Sequence, residues 1–137
     1  MSILLAAFIA VQTAMPPVGQ RTVPVQQLNV GAGLIPDEDQ DPTIAAAAAF
    51  PLGSMENPVR VGGPEGESAY LGRLRCADGA SPSVGPRMDQ GVGAFGSVVA
   101  SYRLTCAGAE PMRVVMDMYH DEHREDRAPP GLTILGR

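Results

Sequence analysis

Two cysteines occur in this chain of 137 residues, and each closes a run in which apolar and polar side chains alternate. In Ser68 to Cys76 (SAYLGRLRC), Tyr70, Leu74 and Cys76 share one parity, and Arg73 and Arg75 the other. In Ser97 to Cys106 (SVVASYRLTC), Val98, Ala100, Tyr102, Leu104 and Cys106 fall on one face, and Ser101, Arg103 and Thr105 on the other. A period of two is the signature of a half-buried strand. If two such strands share a core, their sulfurs become neighbours, so one structural bridge, Cys76–Cys106, is the simplest reading. Closing a loop of about 30 residues contributes roughly 3 to 4 kcal/mol in the chain-entropy model. The alternative, free thiols acting as metal ligands or redox groups, lacks the C-x-x-C spacing that would favour it.

Three further runs extend the pattern. Pro58 to Val61 is a short edge candidate. Met112 to His120 (MRVVMDMYH) follows Pro111 and carries Met112, Val114, Met116, Met118 and His120 on one face. Bulk on its other face, Val115 and Tyr119 among it, marks a central strand. Leu132 to Leu135 follows the turn Pro129-Pro130-Gly131. Five short strands with long polar connections predict a mainly β domain over residues 58–137, a small antiparallel sandwich or open barrel with one disulfide.

The preceding chain is different in kind. Ile3 to Val11 (ILLAAFIAV) is an apolar run of nine residues, which fits a secretory signal over 1–14 and falls short of the roughly 18 needed to span a bilayer. No cysteine follows it to carry a lipid. Residues 15–57 are rich in Pro, Gln, Gly and acid, as in a flexible arm. Within the arm, Asp41-Pro42-Thr43 precedes Ile44 to Phe50 (IAAAAAF), which predicts a short helix over 43–50 that Pro51 ends. So short a helix forms only if Phe50 and Ile44 dock on the folded part. These features predict a periplasmic or secreted product with no stable membrane span.

Charge removes one class of partner. The chain has ten basic residues, all arginine, against 15 acidic ones, a formal net charge of -5. That sign opposes a grip on phosphate backbones, so nucleic acid is excluded as a partner. Residues 1–50 hold one Arg and four acids, a net charge of -3, and the rest nine Arg and eleven acids, a net charge of -2, so the net negative charge is concentrated in the front part and the remainder is nearly balanced.

Three constellations bear on chemistry. Gly91-Val92-Gly93-Ala94-Phe95-Gly96 has the letters of a dinucleotide fingerprint, but a Pro/Gly loop precedes it and a β-branched run follows, where a strand and a helix are required. It reads as a turn or bulge in which glycine supplies positive φ and Phe95 anchors the loop. Met116, Met118 and His120 would project from one face of a strand and, with His123, form a candidate set for a soft ion such as Cu(I), or for Zn(II) through the histidines. Methionines at strand period more often fill a core. Finally, His120 or His123 could serve a nucleophile Ser97 or Ser101 with Asp117, although no spacing selects such a triad and no G-x-S-x-G elbow occurs.

The strings Leu74-Arg75-Cys76-Ala77-Asp78-Gly79, Gly91 to Gly96 and Met116-Asp117-Met118-Tyr119-His120 resemble those of small, functionally uncharacterised exported proteins of bacteria. The resemblance covers about residues 57–135. It implies export and a single domain, and carries no activity and no functional residues.

The expectation from sequence is therefore a non-catalytic exported domain that binds a protein or small ligand, with metal binding as the second reading and a hydrolase-like enzyme as the third. No cofactor is indicated.

Overall fold

A computed structural model describes residues 41–136. The signal expected over 1–14 and most of the arm lie outside the described residues. The elements are α1 (Asp41–Ala47), β1 (Val59–Arg60), α2 (Gly63–Arg73), β2 (Leu74–Arg75), β3 (Ser83–Val84), β4 (Met88–Val92), β5 (Val98–Thr105), β6 (Met112–Asp117) and β7 (Thr133–Ile134).

Strands β5 and β6 form the centre, as their alternation predicts. They pair antiparallel, with Tyr102 opposite Val114 and Leu104 opposite Met112. The main sheet runs β1-β6-β5-β3, with β4 also on β5, and curls into a mixed half-barrel. β2 and β7 form a second, two-stranded sheet. One pairing departs from the antiparallel expectation: β1 lies parallel to β6, with Val59 beside Met116 and Arg60 beside Asp117. A parallel pair needs a long crossover, and the chain between these strands supplies one.

One strand was expected where a helix stands. Ser68 to Arg73 belongs to α2, and only Leu74 and Arg75 of that run are extended. Tyr70 and Leu74 are four residues apart, which satisfies a helix as well as a strand, and buried Glu67 extends the helical spacing backwards. Pro64 near the start favours the first turn, Glu65 there complements the helix dipole, and Arg73 does so in the last turn.

The cysteines are joined as expected. Cys76 and Cys106 form a disulfide with their Cα atoms 5.8 Å apart. The bridge fastens the end of β2 to the end of β5, and so the small sheet to the large one. Around it the core gathers Val59, Tyr70, Leu74, Leu104, Val114, Met116 and Leu132. Deleting any one of these larger apolar side chains would cost about 2 to 5 kcal/mol.

The opposite face of the main sheet is also closed. Val99, Ser101, Val115 and Asp117 are buried, although the alternation placed Ser101 on an outward face. The segment after β4 covers part of it. Gly91 has φ +80 beside the register shift in β4, which turns the strand, and a Cβ on Gly93 would lie 2.4 Å from Val99 Cγ1. Phe95 is buried, so the glycine-rich string acts as the anchored bulge anticipated from its composition.

The folded unit also reaches further back than residue 58. Helix α1 spans Asp41–Ala47, where 43–50 was expected, and Ala47 rather than Phe50 is the buried contact. Gly53 accepts a hydrogen bond from Val115 N–H at 2.8 Å, and the Asn57 side chain donates to Phe50 O at 2.9 Å. The stretch from Asp41 to Asn57, expected as part of the arm, is thereby tied to β6. Among the described residues no helix is long and apolar enough to cross a membrane.

Candidate functional site

Two constellations of polar side chains gather at the end of β6 and along the segment that follows it. The first centres on Asp117, the last residue of β6, whose carboxylate is fully buried. Its Oδ2 accepts a hydrogen bond from Ser97 Oγ and lies 3.5 Å from His120 Nε2, while Oδ1 accepts from Tyr119 N–H at 3.1 Å. Phe95 meets the His120 ring edge-on, with centroids 5.5 Å apart. Arg60 occupies the neighbouring position on β1. The strand ends at Asp117, so the period of two does not continue to His120, which pairs with Asp117 and Phe95 instead of extending the Met116 face.

This arrangement brings together the serine, aspartate and histidine named as a conceivable triad, but in another order. A nucleophilic triad puts histidine between serine and carboxylate, so that imidazole takes the hydroxyl proton. Here the carboxylate stands in the middle and the serine proton points at it. The aspartate and histidine side chains are both closed off from solvent. The cluster is suited to holding the 93–97 loop, β6 and the 117–120 turn in register.

The candidate metal ligands are distributed over separate environments. Met116 is fully buried in the core and Met118 packs against it. His120 faces Asp117, and His123 Nε2 lies 3.6 Å from Glu125 Oε2. Among the described residues, no three His, Cys, Asp or Glu side chains group to hold a metal ion. Ser101, the other serine considered, is buried on β5 opposite Val115.

The second constellation lines a cleft of about 390 Å³ between α2 and residues 121–125. Val61, Gly62, Gly66 and Ala69 provide a small-residue wall, and Tyr70 and Arg73 continue it along the helix. Gly62 is required by proximity, since a Cβ there would come within 2.8 Å of Asp121 O. The facing segment is anchored by its own buried acid. Glu125 accepts from Arg127 Nε at 2.9 Å and Nη2 at 2.8 Å, and from Arg127 N–H at 3.0 Å. Burial pushes the Glu125 carboxyl up, but the nearby His123 ring and the bonds from Arg127 outweigh it and hold the group far below the usual carboxylate range. Tyr70 donates to Arg127 O at 2.8 Å, and its phenol is raised well above the ordinary value by burial and then by the charge of Glu125.

Arg73 joins the two sides. Its guanidinium lies 5.9 Å from the Tyr70 ring centroid, donates through Nη2 to Glu125 O, and through Nη1 to Asp126 Oδ1 at 2.7 Å. Arg124 Nε reaches the same Asp126 oxygen at 3.1 Å. Sequence reasoning passed over Tyr70, Arg73 and Arg124 as site residues. The signal available was the spacing of Glu67, Tyr70 and Leu74, which marks a helix face, preceded by Pro64 and Glu65.

A third polar cluster sits elsewhere on α2. Buried Glu67 accepts from Tyr102 OH at 2.8 Å and lies 3.4 Å from Arg87 Nε. Burial and that bond push the Tyr102 phenol up to about 12.

The sequence matches no protein-family model, no curated protein and no solved structure. The functional reading therefore rests on this chain's own geometry.

Proposed function

We propose that this chain is an exported, non-catalytic domain that binds a small ligand in the cleft between α2 and residues 121–125. The cleft itself carries the reading. Its volume of about 390 Å³ falls in the usual range of small-molecule sites, and an apolar wall facing a few convergent polar groups is the usual composition of one. The wall is held by packing, since α2 buries Glu67 and Tyr70, and the opposite side is held by the Glu125–Arg127 pair. A pre-formed site of this kind loses little ordering entropy when it binds.

The non-catalytic part is supported by the order of the Ser97, Asp117 and His120 cluster, which leaves the hydroxyl without a histidine base. Export is supported by the apolar run Ile3 to Val11 and by the disulfide, which persists in oxidising compartments.

The test is a titration of the full chain, isotope-labelled and with its disulfide intact, against a panel of small carboxylates, amines and neutral aromatics. Saturable shifts at the amides of Gly62, Gly66 and Ala69, with none in β3 or β4, are the expected result. Shifts confined to any other surface would overturn the assignment. For export, N-terminal sequencing of the product made with its leader should show that residues 1–14 have been removed.

A further inference from the structure

We propose that the cleft takes a monoanionic carboxylate ligand, received by Arg73 and Arg124 in the position that the Asp126 carboxylate now fills. The inference deepens the binding reading and rests on it. Both guanidinium groups line the cleft, and both donate to one oxygen, Oδ1 of Asp126. Two arginines converging on a single carboxylate oxygen form a ready carboxylate site.

Asp126 is well placed to leave. Its side chain is 65% exposed, against 18% for Arg73 and 44% for Arg124. Exposed ion pairs of this type are weak, so an incoming carboxylate competes with little more than solvent-screened attraction. Arg73 keeps its place without it, because its second nitrogen donates to Glu125 O and its guanidinium lies beside the Tyr70 ring. Asp126 thus acts as an intramolecular stand-in for the ligand, and the cleft beside it, walled by Val61, Gly66 and Ala69, has room for a small apolar body.

Local charge sets the valence. Asp121 and Glu125 also line the cleft, and Glu125 is already engaged by Arg127. A second negative charge on the ligand would face Asp121, so a carboxylate is favoured over a phosphate dianion.

The experiment titrates the full disulfide-bonded chain with 3-methylbutanoate, its neutral amide and inorganic phosphate, reading the Gly62 and Gly66 amides and the Arg73 and Arg124 Nε resonances. Three variants accompany the wild type: Asp126→Ala, Arg124→Gln, and Glu122→Ala, which removes the same charge from a neighbouring exposed acid. The carboxylate should bind in preference to the amide and to phosphate. Asp126→Ala should tighten carboxylate binding about three- to tenfold, Glu122→Ala should change it far less, and Arg124→Gln should weaken it. Equal binding of the amide, or tighter binding of phosphate, overturns the carboxylate proposal and leaves the cleft a binding site. An unchanged affinity in Asp126→Ala, or an equal gain in Glu122→Ala, overturns the role of Asp126. Silence of the cleft resonances towards all three probes in every variant overturns this proposal, and silence towards the wider panel as well overturns the binding reading beneath it.

Discussion

The Ser97 hydroxyl donates to Oδ2 of Asp117, joining the loop before β5 to the last residue of β6. The carboxylate is fully buried, so the bond replaces water that Asp117 cannot reach. Ser97→Ala should therefore lower stability by about 1 to 3 kcal/mol, the usual cost of leaving a buried polar group short of a partner. Asp117→Ala should cost more, because it also deprives Tyr119 N–H of its acceptor and removes the carboxylate beside the buried His120 ring. Urea denaturation of both variants measures the difference, and equal midpoints for wild type and Ser97→Ala would show that the bond is idle.

Gly93 lies against Val99 with no room for a methyl group. Gly93→Ala should destabilise by roughly 1 to 3 kcal/mol through overpacking, and Val99→Ala should recover part of that loss when combined with it. A double-mutant cycle in denaturant gives the coupling. Strict additivity would mean that the two sites do not touch.

The bridge between Cys76 and Cys106 should account for a large share of the stability. Cys106→Ser is expected to cost about 2 to 5 kcal/mol, seen as a marked fall in Tm. Alkylation of the denatured, unreduced protein should label no thiol, in keeping with the paired cysteines.

Glu125 makes stability depend on pH in a definite direction. Its folded carboxyl is held below the unfolded value by His123 and Arg127, so its contribution is present above roughly pH 4.3 and is lost as the pH falls through the folded value. The wild type should lose more Tm between pH 6 and pH 3 than Glu125→Gln, although the variant starts lower. Parallel pH profiles would mean that the Glu125–Arg127 pair is not formed in solution.

The legible parts of the fold are those governed by neighbours in sequence. The alternation in β5 and β6 identified both central strands, and bulk on both faces of β6 foretold its place between β1 and β5. The glycines at 91 and 93 read correctly as a bulge because positive φ and close backbone approach are demands that one residue meets. Ser68 to Arg73 was misread because Tyr70 and Leu74 fit two periods. Ser101 was placed outward because alternation describes which side of a strand a residue takes, and says nothing about whether that side is covered.

From the amino acids alone, the two cysteines and the alternation in the runs that became β5 and β6 determined a bridged, mainly β domain, since the pleat imposes parity within a single strand. Tertiary structure alone decided the parallel β1–β6 pair, the identity of α2 and the cleft. Arg73 and Asp126 meet across 53 residues of chain, and such a meeting depends on how helix and loop pack, which no local pattern encodes.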